Sequence, residues 1–311
     1  MIQAFCLLTS SLCLPSPGTD SVTGVFSLFA VHIPDGNVLM PAWLIGGYGL
    51  AGILVLAGSW GIQDEEIPQV ALLTAAFFVA SLIHVPVPGL PTSAHLLLNG
   101  LLGVVLGRRA ALAIAMGLFL QAILLQHGGL TTLGVNCCVM ALPALLAWQM
   151  FVVLQRLPGW NKPAPRAGLV VSAVLAWSLS LVYGLLGFTH SIHLVSWPIL
   201  LAILAPAIGL AGLIARAEQR LGHAPEFAIG LLVGETAVLA TVFLHCLTLV
   251  WGGTSDWRTL VVLTLPPHLF IAAVEGVVLG FTVSFLARVK PELLQGGARW
   301  ENTECPANAL S

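Results

Sequence analysis

Apolar residues run in stretches of up to about 20 along most of the chain, the length a helix needs to cross the hydrocarbon core of a bilayer. These stretches predict helices at about 41–60, 68–84, 95–107, 110–127, 132–155, 168–188, 196–215, 227–250 and 259–287. That makes nine, within a range of seven to nine. The third is short for a span, so it is expected to be tilted, broken or re-entrant and to line a cavity rather than face lipid. Breaker-rich segments separate the runs: PVPGLP at 86–91, HGG at 127–129, PGWNKPAP at 158–165 and WGGTSDW at 251–257. No internal repeat and no soluble domain is visible. The expected fold is an all-α, polytopic integral membrane bundle.

Composition supports that reading. Of 311 residues, 58% are hydrophobic and 8% charged, and mean hydropathy is +0.99. A soluble domain carries about 25% charged residues. So few charges cannot build a solvated surface, and lipid must cover most of it. Between Glu66 and Arg156 the only charged residues are Arg108 and Arg109. The net charge of −2 gives no hint of nucleic-acid binding. Of six cysteines, Cys137, Cys138 and Cys246 fall in apolar segments, and Cys6, Cys13 and Cys305 near the ends. Without a CxxC spacing, buried unpaired thiols are favoured over metal or redox chemistry.

Charge also orients the chain. With residue 31 outside, alternation puts Arg108, Arg109, Arg156, Lys162, Arg166, Arg216, Arg220, Arg288, Lys290 and Arg299 inside. Only Arg258 falls outside. Histidine goes the other way. His32, His84, His95, His127, His190 and His193 lie near outer loops, His245 and His268 in the outer halves of their helices, and only His223 inside. Imidazole suits zinc, copper, iron and nickel. A single interfacial histidine is more simply a polar residue at a membrane surface, but the set points to metal capture.

Three strings, VHIPDG at 31–36, HVPVPGLPTSAHLLLNGLLGVVLG at 84–107 and LQAILLQHGGLTTLGVN at 120–136, resemble one family. The segment HLFIAAVEGVVLGFTVSFLARVKPEL at 268–293 resembles its closing helix. Together they resemble the CbiM/NikM family, the cobalt/nickel substrate-binding component of energy-coupling factor transporters. The resemblance runs from about Val31 to Leu293 and is weakest over 157–227.

The resemblance implies a metal site. Family members begin Met-His-Ile; the terminal amine, the next backbone nitrogen and that histidine's ring bind the metal, and a histidine from a later T-S-x-H segment completes a square of nitrogens. Such a field suits Ni(II) or low-spin Co(II). Carried over, the metal residues are Val31, His32 and His95, with His95 closing Thr92-Ser93-Ala94-His95. This chain departs from the family by starting at Met1, since a peptide bond from Ala30 would remove the amine. Residues 1–30 are read as a mis-assigned start, because residue 31 is valine and GUG also serves as a bacterial start codon. A cleaved leader, or a genuine extension with a different ligand set, are the competing readings. The implied division is 1–30, a membrane domain over 31–293 and a cytoplasmic tail over 294–311.

Around the metal residues stand further candidates. Asp35 is read as a carboxylate that supports a ligating histidine, as a turn residue in Pro34-Asp35-Gly36, or as both at once. Asn99, four residues after His95 on an expected helix, either lines the pocket or bonds a neighbouring helix. His84 and Ser93 flank the His95 segment. Gln121, His127, Thr131 and Asn136 are candidates for packing and polar contacts. Glu275, seven residues after His268, is either a coupling group or half of a buried polar pair, the simpler reading, and Glu235 is read likewise.

The implied function is the substrate-binding transmembrane subunit of an importer for Co(2+) or Ni(2+), in the cell inner (plasma) membrane. No GxxxxGK[ST] loop and no HExxH string occurs, so neither ATP hydrolysis nor a zinc protease is expected, and no enzyme or resident cofactor. The implied partners are a transmembrane coupling subunit, two ATPase subunits and a small accessory membrane subunit. The alternative is an autonomous secondary permease driven through Glu235 and Glu275.

Overall fold

A computed structural model of the chain describes residues 32–86, 93–125, 127–156, 163–189, 201, 205, 208–209, 212–213, 216, 226–256 and 258–294. The described elements are α1 (Pro41–Ser59), α2 (Ile67–Ala80), β1 (His84–Pro86), β2 (Ser93–His95), α3 (Asn99–Leu106), α4 (Ala110–Leu125), α5 (Leu133–Gln155), α6 (Pro163–Thr189), α7 (Glu226–Gly252) and α8 (Arg258–Val289). The fold is thus helical, as the apolar runs predict. The expected helix at 196–215 lies for most of its length outside the described residues.

Five stretches among the described residues are long and apolar enough to cross a membrane: Pro41–Ser59, Asn99–Leu125, Leu133–Gln155, Glu226–Gly252 and Pro267–Val289. Their outer faces look like lipid-facing surface. On α1, Ile45 is 74% exposed and Leu56 68%, a density of bare apolar side chains that water would penalise.

Two expected boundaries are corrected. The helix expected over 95–107 is confined to Asn99–Leu106, and His95 lies in a strand. The helix expected over 68–84 ends at Ala80, and His84 begins the opposing strand. β1 and β2 pair antiparallel with His84 opposite His95 and Pro86 opposite Ser93. Two causes act. A proline disfavours helical backbone in the residue before it, which pushes Val85 toward extended conformation. Leu98 takes φ +49, a left-handed turn that stops α3 from extending back to His95. At eight residues, α3 is about 12 Å long and cannot span a bilayer alone. Gly107, at φ +57, divides it from the helix that follows.

Close packing locks the core. A Cβ on Gly103 of α3 would lie 2.1 Å from the Ala144 carbonyl oxygen of α5. A Cβ on Gly230 of α7 would lie 2.8 Å from the Gly280 Cα of α8. In lipid, where helices gain little from hydrophobic burial, such approach supplies the van der Waals contact that holds them together. The far end of α1 is tied by Arg109. Its Nε donates to Glu66 at 2.7 Å, Nη1 to the Gly58 carbonyl at 3.1 Å and Nη2 to the Gly61 carbonyl at 3.0 Å.

Candidate metal centre

The loop from His32 to Met40 runs between α5 and α7 and is fixed from both sides. From α5, Asn136 grips the Ile33 peptide at two points: Ile33 N–H donates to Asn136 Oδ1 at 2.9 Å, and Asn136 Nδ2 donates to the Ile33 carbonyl at 2.9 Å. Thr132 Oγ1 donates to the same carbonyl at 2.6 Å. From α7, the Gly252 carbonyl accepts from Met40 N–H at 2.8 Å, and Thr254 N–H donates to the Val38 carbonyl at 3.0 Å. A side-chain amide that satisfies both polar groups of one buried peptide fixes its plane as well as its position.

Asp35 ties the loop to the HGGLTT turn. Its carboxylate accepts from Thr131 N–H at 2.8 Å, Thr131 Oγ1 at 2.5 Å and Leu130 N–H at 3.1 Å. Partial burial raises its pKa, but the bonds from the Thr131 side chain and from the backbone N–H groups of Thr131, Leu130 and Thr132 outweigh this and hold it below its ordinary value. These bonds run to the HGGLTT turn, and the geometry is that of a turn anchor. The glycines of the turn have distinct tasks. Gly128 takes φ +75, which favours glycine. Gly129 passes so close that a Cβ would lie 2.1 Å from Asp35 Oδ1.

These contacts bring three histidines together. His32 enters from the loop, His95 from β2 and His127 from the turn after α4. One ligand nitrogen of each lies within 4.8 Å of the others. The His32 and His95 rings are nearly parallel, 12° apart with centroids at 5.0 Å, and His127 stands edge-on to His32 at 4.8 Å. His32 is 3% exposed and His95 1%. His32 Nε2 is buried without a hydrogen-bond partner, an orientation that costs free energy unless something else uses the lone pair. A first-row metal bound at about 2.0–2.1 Å holds adjacent nitrogens roughly 3–3.5 Å apart, so small side-chain rotations close the cluster.

Electrostatics keep the cluster ready for a cation. Burial holds the His32 imidazole well below its ordinary 6.5, and His127, His95, His245 and His268 push it further down. A neutral ring is the ligating form. His95 Nδ1 lies 3.3 Å from the Leu96 carbonyl, an acceptor that favours the tautomer with the proton on Nδ1.

The remaining candidates fall into place differently. Val31 lies outside the described residues. Of His84 and Ser93 only the backbone is described, in the hairpin that carries His95. Asn99 is buried and donates to Thr241 on α7 at 2.6 Å. It therefore bonds a neighbouring helix, and it shares no helix face with His95. Gln121 donates to Ser81 at 2.7 Å, tying α4 to the end of α2. Glu275 bonds the Leu97 and Leu98 amides, while His268 faces the Thr264 carbonyl at 2.7 Å. Glu275 is thus a buried polar group that ties α8 to the segment ahead of α3. His127, a candidate for packing and polar contacts by sequence, meets the two other histidines here.

The sequence matches the family model of the cobalt uptake substrate-specific transmembrane region over residues 32–215 and 198–293. It is 44% identical over 122 residues to a Haemophilus influenzae protein named for metal transport, an alignment covering 39% of this chain and 57% of that protein. It is 32% identical over 201 residues to the cobalt transport protein CbiM of Thermosynechococcus vestitus, covering 61% of this chain and 74% of that one. To the fused nickel transport protein NikMN of Rhodobacter capsulatus it is 33% identical over 123 residues, 36% of this chain and 33% of the relative. The aligned part thus spans from a third to three quarters of these relatives.

Proposed function

The chain belongs to the family of cobalt uptake substrate-specific transmembrane regions, a family of transport proteins and not of enzymes, and from that premise we propose that it is the substrate-binding membrane subunit of an importer for cobalt or nickel ions. The observation that carries this reading is the convergence of buried His32 and His95 with half-buried His127. Neutral imidazoles match the borderline softness of Co(II) and Ni(II) and discriminate against Mg(II) and Ca(II), which prefer oxygen. The orientation that the basic residues favour would put the cluster on the outer side of the cell inner membrane. In a chain beginning at residue 31, the terminal amine supplies a further nitrogen beside His32.

An ion held by a rigid nitrogen cage does not leave by itself, so release needs work. The proposed partners supply it: a transmembrane coupling subunit, two ATPase subunits and a small accessory membrane subunit. The second reading, a secondary permease, needs a buried group to carry a coupling ion. Glu235 on α7, with Oε1 buried and without a hydrogen-bond partner, is the group that favours it. Uptake of radioactive cobalt or nickel by cells decides between them. With the ATPase subunits inactivated, uptake should collapse while the purified chain still binds metal. Full uptake without any ATPase would establish the permease.

A further inference from the structure

Glu275 and His95 are joined through a single peptide group. The carbonyl of Leu96 lies 3.3 Å from His95 Nδ1. The other end of that peptide, the Leu97 N–H, donates to Glu275 Oε1. The next amide, on Leu98, lies 3.1 Å from both Glu275 oxygens. Glu275 is 3% exposed and Leu97 fully buried, so water does not compete for these bonds. Leu98 takes the left-handed conformation at φ +49, unfavourable for a leucine, and this turn is what aims two successive amides at one carboxylate.

Metal-ligating histidines usually donate their second ring N–H to a carboxylate or carbonyl, which fixes the tautomer and raises the basicity of the ligand nitrogen. In this chain the carbonyl and the carboxylate stand in series. A carboxylate that accepts from the N–H of a peptide polarises it and makes its carbonyl a stronger acceptor, because hydrogen bonds in a chain reinforce one another in a low-dielectric interior. The order is His95 Nδ1–H, Leu96 carbonyl, Leu97 N–H, Glu275 carboxylate. We propose that Glu275 is a positioning residue that sets the tautomer and ring orientation of His95 through the Leu96–Leu97 peptide, and so tunes metal affinity without touching the metal. It also places the hold on His95 on α8, so a movement of α8 relative to α3 would loosen a ligand.

This inference rests on His95 being a ligand, and the test separates the two. The full chain, labelled with nitrogen-15 histidine and purified in detergent, reports the tautomer of each ring by NMR; the His95 signals are assigned by their loss in His95→Ala. In the metal-free wild type, His95 should carry its proton on Nδ1. Glu275→Gln, which keeps an oxygen acceptor and loses the charge, should weaken cobalt binding about 10-fold, and Glu275→Ala should weaken it up to about 100-fold, the range of outer-shell losses. Both variants should move the His95 tautomer toward a mixture. If Glu275→Ala fails to fold, the wild-type tautomer and Glu275→Gln decide. A wild-type His95 protonated on Nε2, or variants with unchanged tautomer and affinity, would overturn the proposal. A wild type that binds no metal would instead sink the metal-site reading, with the tautomer measurement still judging the peptide relay.

Discussion

Replacing Asn136 by alanine removes the two-point grip on the Ile33 peptide while leaving every histidine in the chain. The Ile33 carbonyl keeps the Thr132 hydroxyl at 2.6 Å, but the Ile33 N–H, on a residue 1% exposed, loses the acceptor that now lies at 2.9 Å. A buried amide left without a partner costs about 1–3 kcal/mol. The loop escapes this cost by leaving its seat, and metal must then bring it back. At about 1.4 kcal/mol per factor of ten, the apparent affinity should fall about 5- to 150-fold. The α7 contacts at Met40 and Thr254 keep the rest of the loop attached, so the loss should be local. Calorimetric titration of cobalt or nickel into the purified chain measures it, with the melting temperature as the check on global folding. Thr132→Val should cost less, because the Ile33 carbonyl keeps its bond from Asn136 Nδ2. An Asn136→Ala protein that binds within twofold of wild type, or a Thr132→Val protein that loses more, would refute the preorganisation of His32 by α5.

Gly129→Ala places a methyl group 2.1 Å from Asp35 Oδ1 and 2.5 Å from the Asp35 nitrogen; it should displace the loop, cost about 1–3 kcal/mol and weaken binding in the same titration. Gly46→Ala on α1 meets nothing within 4 Å and should leave binding at the wild-type level; equal effects of the two would refute the steric account. The pH dependence has a defined sign. His32 has its folded pKa held below the ordinary 6.5, so below 6.5 the unfolded chain takes up a proton that the folded chain refuses. The metal-free protein should therefore be fully supported by this group above 6.5 and lose stability as pH falls toward the folded pKa. Thermal melts of wild type and His32→Gln over this range check it: the variant should show a shallower loss, and an identical slope would contradict the burial of a neutral His32.

The membrane class was legible because it depends on composition and run length, which need no tertiary information. Helix ends were legible where breakers stand, as at Pro41 and the HGG turn. The hairpin at His84 and His95 was not, since a short apolar run serves strand or helix equally. What decides it is the left-handed Leu98 and its amides on Glu275, a contact between residues 177 apart in sequence. For the same reason the sequence could offer Glu275 as a buried polar group but not name the Leu97 and Leu98 amides as its partners. His32 and His95 stood out through family strings. His127 needed the fold, because only the loop–turn–hairpin assembly shows three rings meeting.

The central claim is that one transition-metal ion is captured by the histidine cluster. Cobalt and nickel titration of the purified full chain, with bound metal counted per chain, tests it most directly. The wild type should bind one equivalent. His32→Ala and His95→Ala should each abolish stoichiometric binding, and His127→Ala should weaken it, with all variants folded by melting temperature. A chain lacking both His32 and His95 that still binds one equivalent with wild-type affinity would contradict the account.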